Sequence, residues 1–76
     1  MTEAPEIKVG QIWQEVGTQR FVRVREVDCR YALIRTIDQV DGGLWIYSKG
    51  RPSTQASVSR FHGRPGGYRL IQEPQS

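Results

Sequence analysis

Residues 20–38, RFVRVREVDCRYALIRTID, hold two runs of β-branched and aromatic side chains separated by Asp28, Cys29 and Arg30. Such runs around a polar break read as two long strands joined by a tight turn, because Asp tolerates turn geometry and can bond its own backbone. Successive strand side chains point to opposite faces. Val22 and Val24 therefore share a face in the first arm, and Ala32 and Ile34 share one in the second. The opposite face carries Phe21, Arg23 and Arg25, then Tyr31, Leu33, Arg35 and Ile37. The hairpin thus has an aliphatic side suited to a core and a basic, partly aromatic outer side. Val27 breaks the alternation, and a bulge near Arg25 or Glu26 would return it to the core.

The flanking sequence supplies shorter strands. Residues 7–16 (IKVGQIWQEV) read as a first strand, with Gly10 allowing a bend. Ile12 and Trp13 point to opposite faces, so one of them is half exposed, and Trp13 tolerates this better because its N–H can meet water or a polar partner. Asp41-Gly42-Gly43 is a turn signal. Strands follow at residues 44–48 (LWIYS), 55–59 (QASVS) and 68–72 (YRLIQ), with a single turn at residues 60–62 and a loop rich in Gly and Pro at 63–67. Residues 1–6 and 73–76 read as loose ends around one domain, 7–72. No segment of ten or more residues repeats its apolar positions at helical spacing. Five or six short antiparallel strands closing into a small barrel is the expected architecture, since closure removes exposed edges.

Chemistry at a catalytic centre is not indicated. A chain of 76 residues buries only roughly 60% of the surface its unfolded form exposes, which leaves little room for a deep cleft. One Cys and one His do not make a metal site, and neither Cys29 nor His62 has the neighbours that activation requires. Gly63-Arg64-Pro65-Gly66-Gly67 lacks a following Lys-Ser/Thr and leads into a strand, so it is a turn and not a phosphate loop. No catalytic residue, metal or cofactor is expected. No apolar run approaches the ~20 residues of a membrane span, and the polar start at residues 1–10 does not resemble a secretion signal. With a single cysteine, the expectation is a cytoplasmic protein without membrane contact.

Charge is the feature that bears on a partner. Between residues 17 and 72 ten basic residues face four acidic ones, giving +6, against +3 for the whole chain. Nine of the eleven basic residues are arginine, whose planar fork suits phosphate or carboxylate and stacks on rings. Phe21, Arg23, Arg25, Tyr31 and Arg35 on the outer face are the candidate binding residues, two rings among three guanidinium groups. Trp45 and Tyr47 also share a face. They read as core or as a contact between copies, with an extended aromatic binding surface as the alternative.

The segments Gly10-Gln11-Ile12-Trp13, Arg20-Phe21-Val22-Arg23-Val24, Tyr31-Ala32-Leu33-Ile34, Ser59-Arg60-Phe61 and Gly67-Tyr68-Arg69-Leu70-Ile71 resemble the pattern of small SH3-like barrel proteins of phages and prophages. The resemblance implies a five-stranded SH3-like barrel with a short 3-10 turn before the last strand. It carries no activity that transfers to particular residues, and residues 49–54 form a longer loop than the pattern leads one to expect. The expected function is a non-enzymatic binding module whose partner is nucleic acid or an acidic protein surface, acting as a monomer or small homo-oligomer. The alternative is a phage-type inhibitor or adaptor of a host protein, such as a counter-defence protein. A small oligomeric enzyme is third; type II plasmid dihydrofolate reductases, also SH3-like barrels, share little beyond Ile46-Tyr47.

Overall fold

The β-branched runs pair with one another as strand partners. In the computed structural model, which describes residues 6–74, six strands form one antiparallel sheet: β1 (Ile12–Glu15), β2 (Phe21–Val27), β3 (Tyr31–Gln39), β4 (Trp45–Tyr47), β5 (Thr54–Ser57) and β6 (Tyr68–Gln72). Their order is β4-β3-β2-β1-β6, with β5 also paired to β3. The β2–β3 hairpin is the longest ladder, and its register slips between Val24 and Glu26. The expected bulge is therefore present. It places Val27 opposite the buried Ala32 on the core side, but Val27 itself stays exposed.

The six strands occupy five lanes. β4 pairs with β3 from Gln39 to Ile37, and β5 takes the same edge of β3 from Ile34 to Tyr31. Ser48 continues the β4 lane by donating its N–H to the Thr36 carbonyl. Residues 49–53 then leave the edge opposite Arg35 and return at Thr54. The long loop is thus an excursion from one interrupted strand. Among the described residues no ladder joins β5 to β6, so backbone pairing leaves the sheet open at that point.

Aromatic side chains fill the inner side. Trp13, Val22, Val24, Ala32, Ile34, Ala56, Phe61 and Tyr68 form the buried core, with Phe61 edge-on to Trp13 at 4.9 Å and stacked on Tyr68 at 5.0 Å. Phe61 gets there from a 3-10 turn at Val58–Arg60, two residues earlier than the sequence suggests. The shift has a local cause: Ser57 ends β5 and its side chain accepts from the Ser59 N–H, which starts the turn early and frees Phe61 to point inward.

β1 is shorter than expected because the chain turns at Val9 and Gly10 before entering the sheet, with Gly10 at a φ of +94°. Ile12 and Trp13 are both buried, so the expectation that one is half exposed fails. Trp13 faces the main core and Ile12, opposite Arg23, faces the outer side, where it is covered as well. Of the expected loose ends, residues 1–5 and 75–76 lie outside the described residues, while Glu73 accepts a bond from the buried Gln11 amide and Pro74 packs against Gly10. Among the described residues no helix is long and apolar enough to cross a membrane.

Candidate arginine and aromatic interface

Strand register brings the outer face together. Across β2 and β3, Phe21 lies opposite Ile37 and Arg23 opposite Arg35; across β3 and β4, Ile37 lies opposite Tyr47. By strand alternation these side chains share one side of the sheet. Ile12 and Ile37 are buried there, outside the main core, beside half-buried Phe21, Trp45 and Tyr47. The Phe21 and Trp45 rings meet at 5.1 Å. The outer face of the hairpin, read from the sequence as basic and partly aromatic, is therefore a second apolar layer with arginines on it.

Tyr47 is the point on which the arginines converge. The guanidinium carbons of Arg35, Arg25 and Arg23 lie 4.5, 5.1 and 5.7 Å from its ring centroid. A cation over an aromatic face gains about 0.5–1 kcal/mol when exposed and about 2 when desolvated. The three charges all lie within 5.7 Å of one point, so no two can be farther apart than about twice that distance. At a separation of about 8 Å, two like unit charges repel by roughly 0.5 kcal/mol in water and roughly 2 at an effective dielectric of 20. Stacking and repulsion are comparable, so the cluster gains from any anion that faces all three groups. Among the described residues none of the three arginines has a carboxylate partner; the ion pairs there are Lys8 with Glu6 and Arg20 with Glu15. Arg35 Nε is also a buried donor without an acceptor among the described residues, a cost on the order of 1–3 kcal/mol.

Tyr31 does not join this cluster. It stands exposed toward the far end of the hairpin, where Glu26, Val27, Asp28 and Gln55 border a shallow hollow of about 310 Å³ with it. Carboxylates border that hollow, in contrast to the cluster. Of the five candidate residues, the structure joins Phe21, Arg23, Arg25 and Arg35 and adds Trp45 and Tyr47. The signal for Tyr47 was present in the sequence: a tight Asp-Gly-Gly turn between the last two arms places Tyr47 beside Ile37 and so beside Arg35.

Trp45 links the two ends of the lane order. Its indole N–H donates to Gln72 Oε1 at 3.3 Å, so β4 and β6, which stand at opposite ends of the order, are brought within side-chain reach by the curl of the sheet. Between them lies a groove of about 420 Å³ walled by Val9, Leu44, Trp45, Gln72 and Pro74, with Arg23 at its side. Arg23 thus belongs both to the groove and to the cluster around Tyr47.

Asp28 holds the hairpin turn. Its Oδ1 accepts from the N–H groups of Arg30 and Tyr31 at 2.7 and 2.8 Å. These bonds, that of Tyr31 first, pull its carboxyl below the ordinary value of 3.8. A depressed folded value means that the carboxylate stabilises the turn above the ordinary carboxylate range, and that this contribution is lost as pH falls through the lowered value. Amide exchange at Arg30 and Tyr31 should therefore accelerate selectively below pH 3.8, and Asp28→Ala should show the fast exchange at every pH. Equal protection of the two amides in Asp28→Ala would refute this account of the turn.

Cys29 is exposed, and His62 Nδ1 accepts the Arg64 N–H at 3.0 Å within its own loop. Among the described residues no three His, Cys, Asp or Glu side chains cluster as metal ligands would. Comparison with protein families, with curated proteins and with solved structures finds no match to this chain.

Proposed function

We propose that this chain is a non-enzymatic, cytoplasmic binding module that engages nucleic acid through the arginine cluster around Tyr47, on an SH3-like barrel of the phage type. The convergence on one ring of three arginines that have no carboxylate partner among the described residues carries the reading. Guanidinium groups meet phosphate, as they do carboxylate, with paired donors. Neighbouring rings add stacking for bases. The five lanes and the 3-10 turn before β6 support the barrel assignment.

Salt dependence tests the reading. Each arginine that neutralises a phosphate releases a counterion, so the logarithm of affinity falls with the logarithm of salt by about 0.7 per contact on a single strand. Three contacts give a slope of about −2. Replacing Arg23, Arg25 and Arg35 together by Gln should flatten the slope toward zero in fluorescence anisotropy with labelled DNA and RNA oligomers. Absence of binding to both at low salt refutes the proposal.

One observation favours a second reading, an acidic surface on a host protein engaged by an inhibitor or adaptor. Leu44, just before β4, is exposed in the groove that Arg23 and Trp45 also line, and arginine with aromatic residues is the composition of protein hot spots. In that case a complex from host lysate survives nuclease, and truncation of one or two anchors abolishes it.

A further inference from the structure

Base recognition needs a place for a ring next to the phosphate contacts, and the groove beside Arg23 supplies one. Resting on the nucleic-acid reading above, we infer that the site takes single-stranded nucleic acid, with a phosphate on the arginine cluster and the adjoining unstacked base inserted between Leu44 and Trp45 on one side and Val9 and Pro74 on the other. Size, chemistry and shape each support this occupant.

The groove holds about 420 Å³, within the ~300–1,000 Å³ of small-ligand sites, whereas a base is a flat plate about 3.4 Å thick. Its walls are apolar where a base face would lie. Leu44 is 68% exposed and Val9 57% exposed, so both offer uncovered surface. A polar group stands where a base edge would lie: Gln72 Oε1 is taken by the Trp45 indole, while its amide nitrogen has no partner among the described residues and can donate to a base carbonyl. Arg23 lines the groove and reaches to 5.7 Å from the Tyr47 centroid, so phosphate and base subsites are contiguous through one side chain.

Shape selects against a duplex. Reading a double helix requires an element that projects into a groove, a helix or a two-stranded ribbon. This face is a recess. Apolar walls and an indole fit base faces, which only an unpaired strand exposes.

Three probes of equal length test the inference: oligothymidylate, the same backbone with abasic sites, and a thymidine-adenine duplex. Each is titrated at low salt while anisotropy and tryptophan emission are recorded. Trp13 is buried in the core and Trp45 lines the groove, so a base in the groove quenches the Trp45 share of the emission. The expected result is that oligothymidylate quenches and binds at least about fivefold more tightly than the abasic strand, the change expected for losing a base stack. Leu44→Ala should weaken oligothymidylate and leave the abasic strand unaffected. Because Leu44 is exposed, this variant should fold. Trp45→Phe should abolish the quench.

Equal binding of oligothymidylate and abasic strand, without quench, overturns the base site while leaving the phosphate reading intact. Duplex binding as tight as the single strand also overturns it. Absence of binding to all three strands removes the nucleic-acid reading itself.

Discussion

Gly67→Ala should destabilise the protein by about 3 kcal/mol or more, at or beyond the upper end of the usual ~1–3 kcal/mol for overpacking. For a domain of this size that lowers the melting temperature by roughly 12–24 °C. The reason is steric. A methyl carbon at Gly67 would overlap the Arg60 carbonyl oxygen and stand 2.5 Å from His62 Cε1 and 2.7 Å from His62 Nε2. The His62 ring can swing away, but the carbonyl belongs to the turn that delivers Phe61 to the core. Gly67 is further fixed by its N–H to the Arg64 carbonyl and by its own carbonyl, which accepts the Val16 N–H. Gly66 is the control: its φ is +89°, yet a methyl there meets nothing, so Gly66→Ala should cost only ~1–2 kcal/mol of left-handed strain. Adding His62→Ala to Gly67→Ala should restore little. Thermal melting within about 3 °C of the parent for Gly67→Ala would show that the loop yields, and the packing argument fails.

This position marks a limit of what alternation and turn chemistry can convey. They did convey the hairpin. Val22, Val24, Ala32 and Ile34 face the core as their spacing predicts, the bulge falls at Arg25, and Asp28 bonds the backbone of its own turn. These are local properties, settled by residues a few positions apart. The close approach of Gly67 to Arg60 is a loop crossing, and no spacing rule announces it.

The same distinction explains the candidate site. Alternation placed Phe21, Arg23, Arg35 and Ile37 on one side of the sheet, and they are there. What covers that side depends on contacts between residues 12, 21, 37, 45 and 47, which come from three different ladders. A face read as basic and partly aromatic therefore also holds two buried isoleucines. Tyr31 shows the converse error. It shares the face by parity, but four residues along a strand is roughly 13 Å, enough to remove it from a cluster organised on one ring. The interrupted lane has a similar origin: Lys49-Gly50-Arg51-Pro52-Ser53 reads as a loop between two strands, and only the register shows that both strands use one edge of β3.

Gln11 is the residue whose importance the sequence concealed most fully, and its removal should have the second large effect. It is a polar side chain only 1% exposed, and its amide makes four bonds. Oε1 accepts from the Lys8 N–H at 2.8 Å and from the Trp13 indole at 3.1 Å, while Nε2 donates to the Glu6 carbonyl and to Glu73 Oε1. The GQIW segment is thus a clamp: Gly10 turns the chain, Gln11 ties both ends of the described chain together, Ile12 fills the outer layer and Trp13 fills the core. Gln11→Ala strands the indole N–H inside the core, at about 1–3 kcal/mol, and removes side-chain volume from a filled site, so a total of about 3 kcal/mol is expected. A double-mutant cycle separates the two contributions. In a Trp13→Phe background there is no indole donor to strand, so Gln11→Ala should cost less there, with a coupling of about 1–2 kcal/mol of the size found for residues in contact. Denaturant unfolding of the four proteins measures it. A coupling near zero would mean that the indole bond contributes nothing net, and that Gln11 is buried for its links to the chain ends alone.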